Sequence, residues 1–409
     1  MIAPGILIAA TGVGAGDLLT ASLGGSAIGI SLLWAAVLGG LFKWVLNEGI
    51  ARWQMATGSL LIEGWIEKLG AWIQWIFIAY LLAWTFFTGG ALVTACGVAA
   101  TALMPLTDHA DHSKILWGIS HSIIGYLLVR VGGYRLFEKV MSACIAIMFV
   151  TVVITASQLM PPVSELAKGL VPSIPKEGLG WVLGILGGVG GTVTLLAYGY
   201  WIREKNRKGL EGLRISRIDL GIGYAMTALF GMSMIIIGSR VEITGNGSQV
   251  ATLLAAQLEN LTGPLGKWLF LIGFWGAVFS SLLGVWQSIP YLFTDFMLLH
   301  RKRSETFRRS VNYSKSPYYQ KYLLAMSIFP LPVLLFSVKK AQLIYAVFGS
   351  LFMPLLALTL LMLNNKEIWV SRDFKNKWLS NVVLTLIFSF FLFVGVRQIL
   401  LKMHILFGS

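Results

Sequence analysis

Charged residues are scarce in this sequence. Of its 409 residues only 12% are charged, about half the share that is usual in a soluble globular protein. A soluble domain of this size needs far more polar surface, because surface area grows nearly as fast as mass. The low charge therefore excludes a soluble globular protein, and the 15 Trp and 23 Phe residues exclude a disordered chain.

Cysteine is also scarce, which excludes a disulfide scaffold. The chain has only Cys96 and Cys144, both in apolar runs, where buried free thiols are the simplest interpretation. What the chain has in abundance is apolar residues, at 56%, together with 45 glycines that follow no Gly-X-Y period. This composition indicates a polytopic helical membrane protein, and at roughly 20 residues per crossing the chain accommodates about 10 to 12 spans.

Eleven apolar segments follow one another along the chain. Their approximate ranges are 2–27, 30–56, 71–104, 115–132, 137–160, 178–202, 217–239, 266–296, 321–338, 341–363 and 379–400. No basic region precedes the first segment, so we expect it to be retained rather than cleaved as a signal peptide. Two further stretches, residues 58–70 and 248–261, are amphipathic and predict short helices at the membrane surface.

Lys and Arg concentrate in alternate loops. The loops after segments 6, 8 and 10 are strongly basic, whereas those after segments 3 and 7 each carry two acids and one basic residue. Because basic loops face the cytoplasm, we predict a cytoplasmic N-terminus in the plasma (inner) membrane of a prokaryote. The net charge of +14 then reflects topology, and its partners are anionic membrane lipids rather than nucleic acid. The oligomeric state stays open, and a monomer is compatible with the sequence.

Two segments are interrupted by glycine. The run Thr11-Gly12-Val13-Gly14-Ala15-Gly16-Asp17 interrupts segment 1, and residues 184–192 (GILGGVGGT) interrupt segment 6. Each glycine inside a helix costs roughly 1 kcal/mol relative to alanine, so both runs predict local unwinding, although close helix packing also uses glycine. Asp17 is the only acid in either run. A carboxylate at membrane depth is costly and is usually functional, and capping of the following helix is a compatible, simpler role.

The two breaks occupy equivalent positions, in the first helix of segments 1–5 and in the first helix of segments 6–10. Because five is odd, the two halves have opposite orientations, as in inverted-repeat transporters that bind substrate where these helices unwind. We therefore predict one transmembrane transporter domain over residues 1–409, with residues 1–160 and 178–363 as the repeats and 379–400 as an extra helix. No catalytic motif is found, so we expect neither an enzyme nor a cofactor.

Three stretches resemble the Nramp family of divalent-metal transporters. They are PGILIAATGVGAGDLLTASLGGSAIGISLLW at 4–34, LNEGIARWQMATG at 46–58 and FSSLLGVWQSIP at 279–290. The resemblance extends over most of the chain and is closest to a divergent prokaryotic branch. It implies an all-α integral membrane protein of the LeuT type (APC superfamily), with an inverted repeat of five plus five helices, an eleventh helix, and helices 1 and 6 broken.

The metal-site motifs of that family are altered here. The family's Asp-Pro-Gly-Asn in helix 1 aligns with Gly14-Ala15-Gly16-Asp17, so Gly14 stands where the family has its metal-binding Asp. The family's Met-Pro-His in helix 6 aligns with Thr194-Leu195-Leu196, so the sulfur ligand is missing. Residues 71–104, where the family has acids that move protons, contain no charged residue and no His. Classical proton coupling is therefore not expected.

The remaining oxygen donors define the candidate site. Asp17 and Thr194 are the predicted metal ligands, because carboxylate, hydroxyl and carbonyl oxygens suit hard cations such as Mg²⁺ or Mn²⁺. The predicted substrate-binding residues are Thr11, Gly12, Gly14, Asp17, Gly190, Gly191, Thr192, Thr194, Ser280 and Ser281. The exposed N–H groups of such breaks also suit an anionic or zwitterionic solute, such as an amino acid or organic acid. A non-transporting membrane scaffold or receptor is the third reading.

Other polar residues in or near the spans have simple alternatives. Glu48 and Arg52 have the spacing of a helical ion pair, and Lys43, one to two turns earlier, could snorkel; gating is the other role open to the three. His121, the only His within a span, predicts an interhelical hydrogen bond or, alternatively, a proton path. His109 and His112 read as a polar outer loop or as a weak metal-capture site.

Overall fold

The computed structural model describes residue 14 and residues 16–131, 135–175, 178–188, 191–243, 247–301 and 311–407, and these residues contain helices and no strands. Seven helical stretches in this part are long and apolar enough to cross a membrane. They are Asp17–Thr57, Trp72–Leu103, Ala110–Val131, Leu179–Arg203, Gly209–Gly238, Val250–His300 and Val338–Asn364. The all-helical membrane fold expected from composition is confirmed, and each of the eleven predicted segments contains a helix.

The helices are numbered here in chain order. They are α1 (Ala21–Ile28), α2 (Leu33–Thr57), α3 (Leu61–Gly64), α4 (Ala71–Leu103), α5 (Ala110–Val131), α6 (Arg135–Gln158), α7 (Val163–Gly169), α8 (Leu179–Gly188), α9 (Ala197–Glu204), α10 (Gly209–Gly238), α11 (Val250–His300), α12 (Pro317–Ile328), α13 (Val338–Ser350), α14 (Phe352–Asn364), α15 (Glu367–Phe374) and α16 (Trp378–Phe407). A π-helical turn, Gly16–Thr20, precedes α1, and a second, Trp65–Leu69, follows α3.

Two glycines end helices at the predicted surface stretches. Gly58, with φ +70°, ends α2, and the short helix α3 then begins at Leu61, with all four of its residues buried. Gly263, with φ +75°, interrupts α11, and Pro264 follows it. A left-handed glycine ends a helix without a Cβ penalty, and proline fits the first turn of the next helix. The amphipathic stretch at 248–261 therefore forms the first part of α11, ahead of the spanning part.

Segment 9 differs from its predicted range of 321–338. Its helix α12 begins at Pro317, because the Ser316 hydroxyl accepts a hydrogen bond from the Tyr318 N–H and caps the first turn. The helix ends at Ile328, and a 3-10 turn over Leu331–Leu335 follows. Pro330 and Pro332 explain the early end, since neither has an N–H to continue the helical ladder. The apolar pattern alone did not predict that these two prolines end the helix before residue 338.

Helix α1 packs closely against α10 through two glycines. A Cβ placed on Gly25 would collide with the Ile235 carbonyl oxygen, and a Cβ on Gly238 would collide with the Ser22 carbonyl oxygen. The missing side chains let the two backbones approach, as small residues do at helix interfaces in membranes. This contact fixes α1 against α10, in the second half of the chain. The turn that holds Asp17 directly precedes α1.

We expect Gly238→Ala to destabilise the protein by about 1–3 kcal/mol, the usual cost of forcing extra volume into a packed interior. The measurement is the midpoint of thermal unfolding of the purified protein in detergent. Gly221→Ala in the same helix is the matched control, because its Cβ would meet only the Trp44 indole nitrogen, at an ordinary 3.7 Å. Equal midpoints for the two variants would contradict the close α1–α10 contact.

Candidate cation site at the two helix breaks

Segment 6 is broken where its glycines predict. Helix α8 ends at Gly188, and a 3-10 turn over Val193–Leu196 leads into α9. Between them, Gly191 has φ +92° and Thr192 has a non-helical backbone with φ −135° and ψ −101°. A Cβ on Gly191 would lie 2.7 Å from the Thr194 hydroxyl oxygen, so glycine also makes room for that side chain. Gly190 lies outside the described residues.

Segment 1 places its carboxylate at the start of the described helix. Asp17 lies in the π-helical turn Gly16–Thr20 and is fully buried. Gly14 is buried in the turn ahead of it, and its carbonyl accepts a hydrogen bond of 2.9 Å from the Leu18 N–H. The predicted site residues Thr11 and Gly12 lie outside the described residues. The acid singled out in the sequence is therefore an interior group.

The two breaks lie side by side. The turn that holds Asp17 packs against α8, the half-helix that leads into the second break, and against α13. Gly184 of α8 makes room for this packing, because a Cβ there would lie 3.0 Å from the Ala346 Cβ and 3.3 Å from the Thr20 Cγ2. The structure thus brings Asp17 and the helix 6 break to one region of the interior, as the inverted-repeat hypothesis requires.

A buried lysine adds a basic group beside the helix 6 break. The Lys43 ammonium of α2 donates a hydrogen bond of 2.9 Å to the Gly187 carbonyl, one residue before α8 ends. One interpretation of the sequence is that Lys43 snorkels to the membrane surface. The Lys43 residue is 0% exposed, so it does not do so. The turn that holds Asp17 packs against the same half-helix, α8. Asp17 and Lys43 are therefore buried ionisable groups that both adjoin α8.

Helix α4 supplies uncharged polar groups to the same region. The Trp84 indole N–H donates to the Thr192 hydroxyl oxygen at 2.7 Å, which ties the helix 6 break to α4. The Gln342 amide of α13 donates to the Ala91 carbonyl at 3.0 Å, and the Tyr80 hydroxyl donates to the Phe348 carbonyl at 3.0 Å. The segment that lacks all charge thus forms hydrogen bonds with the helix 6 break and with α13.

Three buried oxygens in this region have no hydrogen-bond partner within the part of the chain that the structure describes. They are Thr20 Oγ1, Thr88 Oγ1 and Gln342 Oε1. Thr20 faces Gly184 beside Ala346, Gln342 lies one helical turn before Ala346, and Thr88 lies one turn before Ala91. An unpaired buried polar atom costs about 1–3 kcal/mol. Oxygens that lack partners around a carboxylate are the kind of groups that water or a hard cation satisfies.

The predicted serines of α11 have different surroundings. Ser280 donates a hydrogen bond of 3.0 Å to the Ala277 carbonyl in its own helix, and Ser281 is buried. Helix α11 does contact the 3-10 turn Val193–Leu196 that contains Thr194. The hydroxyl of Ser280 is satisfied locally, and its role at the site stays a prediction.

The histidines fit the simpler interpretations. The His121 ring contacts the Trp117 carbonyl through Nδ1 at 2.7 Å and accepts from the Trp275 indole N–H through Nε2 at 2.8 Å. Both ring nitrogens are used, and the bond to Trp275 is the predicted interhelical one. His109, just before α5, and His112, in its first turn, have neighbouring rings. However, no group of three or more His, Cys, Asp or Glu residues among those described could hold a metal.

Sequence reasoning missed Lys43 as a site residue and did not consider Thr20, Thr88 or Trp84. Lys43 did carry a signal, since it lies in the middle of an apolar run, where an ionisable residue is functional by default. However, Glu48 follows five residues later, and an ion pair near the membrane surface is a sufficient explanation of these charges from sequence alone. The polar residues of α4 and Thr20 carry no sequence signal, because threonine and tryptophan are ordinary in membrane helices.

Comparison with known proteins places the chain in a family. Residues 5–401 match the family model described as natural resistance-associated macrophage protein-like, Nramp. An uncharacterized protein of Pasteurella multocida (strain Pm70) is 24% identical over 280 residues, which are 65% of this chain. The chain spans 63% of the length of that relative.

Solved transporter structures share the fold. The Eremococcus coleocola manganese transporter, in complex with an aromatic bis-isothiourea substituted compound, matches with a TM-score of 0.76 and 18% identity. The match covers 100% of this chain and 87% of that one. MhsT in complex with L-phenylalanine matches with a TM-score of 0.55 and 13% identity, over 94% of this chain and 97% of that one. These matches confirm the LeuT-type architecture that the resemblance to the Nramp family implies.

Proposed function

Because the chain belongs to the Nramp family, we propose that it is a secondary-active transporter that carries a divalent metal cation by alternating access. The observation that carries the proposal is the fully buried Asp17 carboxylate, packed beside the helix 6 break. Such breaks are where transporters of this architecture bind their substrates. An organic solute on the same fold is not favoured, since the family model that matches the chain is that of divalent-metal transporters.

The donor set favours a hard cation. Asp17 would supply the one carboxylate, and Thr194 and freed backbone carbonyls would supply neutral oxygens. The Thr192 hydroxyl accepts from Trp84 and keeps a second lone pair for a ligand. With no sulfur or imidazole in the breaks, the site suits Mg²⁺ or Mn²⁺ rather than softer metals. The manganese transporter of Eremococcus coleocola makes Mn²⁺ the first ion to test.

Alternating access fits the closed centre of this structure. Asp17, Lys43 and Thr192 are all within 1% of full burial, so an ion that binds among them can enter or leave only when helices move. The helix breaks supply the points where half-helices can reorient. We assign residues 1–160 and 178–363 as the two repeats that would move relative to each other, with 379–400 as the extra helix.

The basic loops support an orientation. We assign the N-terminus to the cytoplasm and the chain to the inner membrane of a prokaryote, with anionic lipids beside the Lys and Arg residues. Several of these cations lie in ion pairs at the same end of the bundle, namely Arg203 with Glu63, Arg207 with Asp219 and Arg217 with Glu48. A monomer is the simplest functional unit.

Uptake into proteoliposomes tests the proposal. We expect purified protein to move Mn²⁺ or Mg²⁺ into vesicles at a rate well above that of protein-free vesicles. A thermal-shift screen that sets the same metals against amino acids and organic acids tests the cargo class. Stabilisation by an organic solute together with absence of metal uptake would overturn the proposal.

A further inference from the structure

The Lys43 ammonium occupies a place at which transporters of this architecture bind ions. The last carbonyls of a half-helix have no intrahelical partner and carry partial negative charge, and such ends coordinate the coupling cation in inverted-repeat transporters. Here the Gly187 carbonyl, at the end of α8, accepts a hydrogen bond from Lys43 Nζ instead. A side-chain cation is therefore bound at the helix 6 break.

The position of Lys43 is built into the packing of α2. A Cβ on Gly39 would lie 3.3 Å from the backbone of Ile185 and Leu186, so glycine brings α2 against α8 one turn before Lys43. One turn after it, the Asn47 amide donates to the Tyr224 hydroxyl of α10 at 2.8 Å. These two contacts fix the backbone of α2 on either side of Lys43, and the Lys43 side chain reaches from α2 to the end of α8.

The charge of Lys43 affects how a metal ion would bind at Asp17. A buried ammonium requires a compensating negative group, and the fully buried Asp17 lies in the turn that packs against α8, the helix to which Lys43 binds. A dication that binds Asp17 beside α8 therefore meets a second positive charge at the end of that helix, in an interior where charges are poorly screened. The same ion also finds the Gly187 carbonyl already used.

We propose that Lys43 is a tethered cation, which competes with the transported metal for the Gly187 carbonyl and weakens the binding of that metal at Asp17. This inference rests on the proposed function and extends it, because it names the residue that sets the affinity of the site. Without metal, the ammonium ties α2 to the end of α8 at the helix 6 break. When metal binds, the ammonium leaves the carbonyl, and the ion is held weakly enough to be released.

Binding of Mn²⁺ to the purified full-length protein, measured by isothermal titration calorimetry, tests the competition. We expect Lys43→Met, which keeps the length of the side chain and removes the charge, to lower the Kd at least about tenfold, because a like charge near the ion is removed. Lys43→Arg keeps the charge and should stay within about threefold of the parent Kd. Lys114→Met is the matched control, since Lys114 is also buried but pairs with Asp111.

The outcomes separate this inference from the proposed function. Tighter binding by Lys43→Met alone supports the tethered cation. Equal or weaker binding by Lys43→Met, in a protein whose parent binds Mn²⁺, overturns the tethered cation and leaves the metal transporter standing. Absence of binding by the parent and by every variant overturns both. If Lys43→Met does not yield a monodisperse protein, Lys43→Gln gives the same reading.

Discussion

Replacement of Asp17 by Asn reduces Mn²⁺ uptake to the level of protein-free vesicles. The substitution keeps the shape of the side chain and removes the only carboxylate within the two breaks. Loss of one partner from a desolvated charge contact costs about 2–5 kcal/mol, which is more than a tenfold loss of affinity. The measurement is initial uptake rate in proteoliposomes at equal protein content, with the unfolding midpoint of each variant recorded beside it.

A matched control distinguishes a site effect from a general effect of charge. Asp111 is a part-exposed carboxylate that pairs with Lys114 in the first turns of α5. Asp111→Asn should transport at the parent rate, because this pair lies on another element from both breaks. Parent-like uptake by a folded Asp17→Asn variant would remove Asp17 from the site.

Replacement of Glu48 by Ala lowers the free energy of unfolding by about 3–5 kcal/mol, the usual cost of breaking a buried ion pair. One Glu48 carboxylate oxygen accepts two hydrogen bonds from Arg217, at 2.9 and 2.8 Å, and the other accepts from Arg52. Arg52 is only 2% exposed. Its other contacts, to the Lys375 carbonyl and the Ser380 hydroxyl, are both 3.4 Å long. The variant leaves this guanidinium buried without its anion.

Thermal unfolding in detergent measures this loss, and a second glutamate provides the control. Glu259 pairs with Lys267 at 2.8 Å, but both side chains are about one-third exposed. Solvent screening limits such a pair to about 0–1 kcal/mol, so Glu259→Ala should leave the midpoint nearly unchanged. If the two variants shift the midpoint equally, the Glu48 network does not hold the bundle together.

The sequence predicted those features that depend on local pattern. The apolar segments, the break of helix 6 at glycine, the short helix after α2 and the i,i+4 pair of Glu48 with Arg52 follow from spacing along one chain. The helix 6 break is present at Gly191 and Thr192. Asp17 is buried, as expected of a carboxylate that acts within a membrane helix.

Features that join distant segments could not be predicted from one sequence. Arg217 completes the Glu48 network from 169 positions away along the chain, and no local pattern pairs the two. Lys43 shows the same limit, because its partner Gly187 offers a backbone carbonyl, which every residue has. Which carbonyl is left free depends on where α8 ends in space. The polar contacts of α4 are similarly tertiary, so an uncharged segment gave no sign of its contacts with the helix 6 break and α13.

Diffraction from crystals grown with Mn²⁺ tests the central claim most directly. Data collected near the manganese absorption edge locate the ion through its anomalous scattering. We predict a single strong peak at the helix breaks, within coordination distance of an Asp17 carboxylate oxygen, and its loss in crystals of Asp17→Asn. Peaks only at the protein surface, or an equal peak in the Asp17→Asn crystals, would contradict the assignment of this chain as a carrier of divalent cations at Asp17.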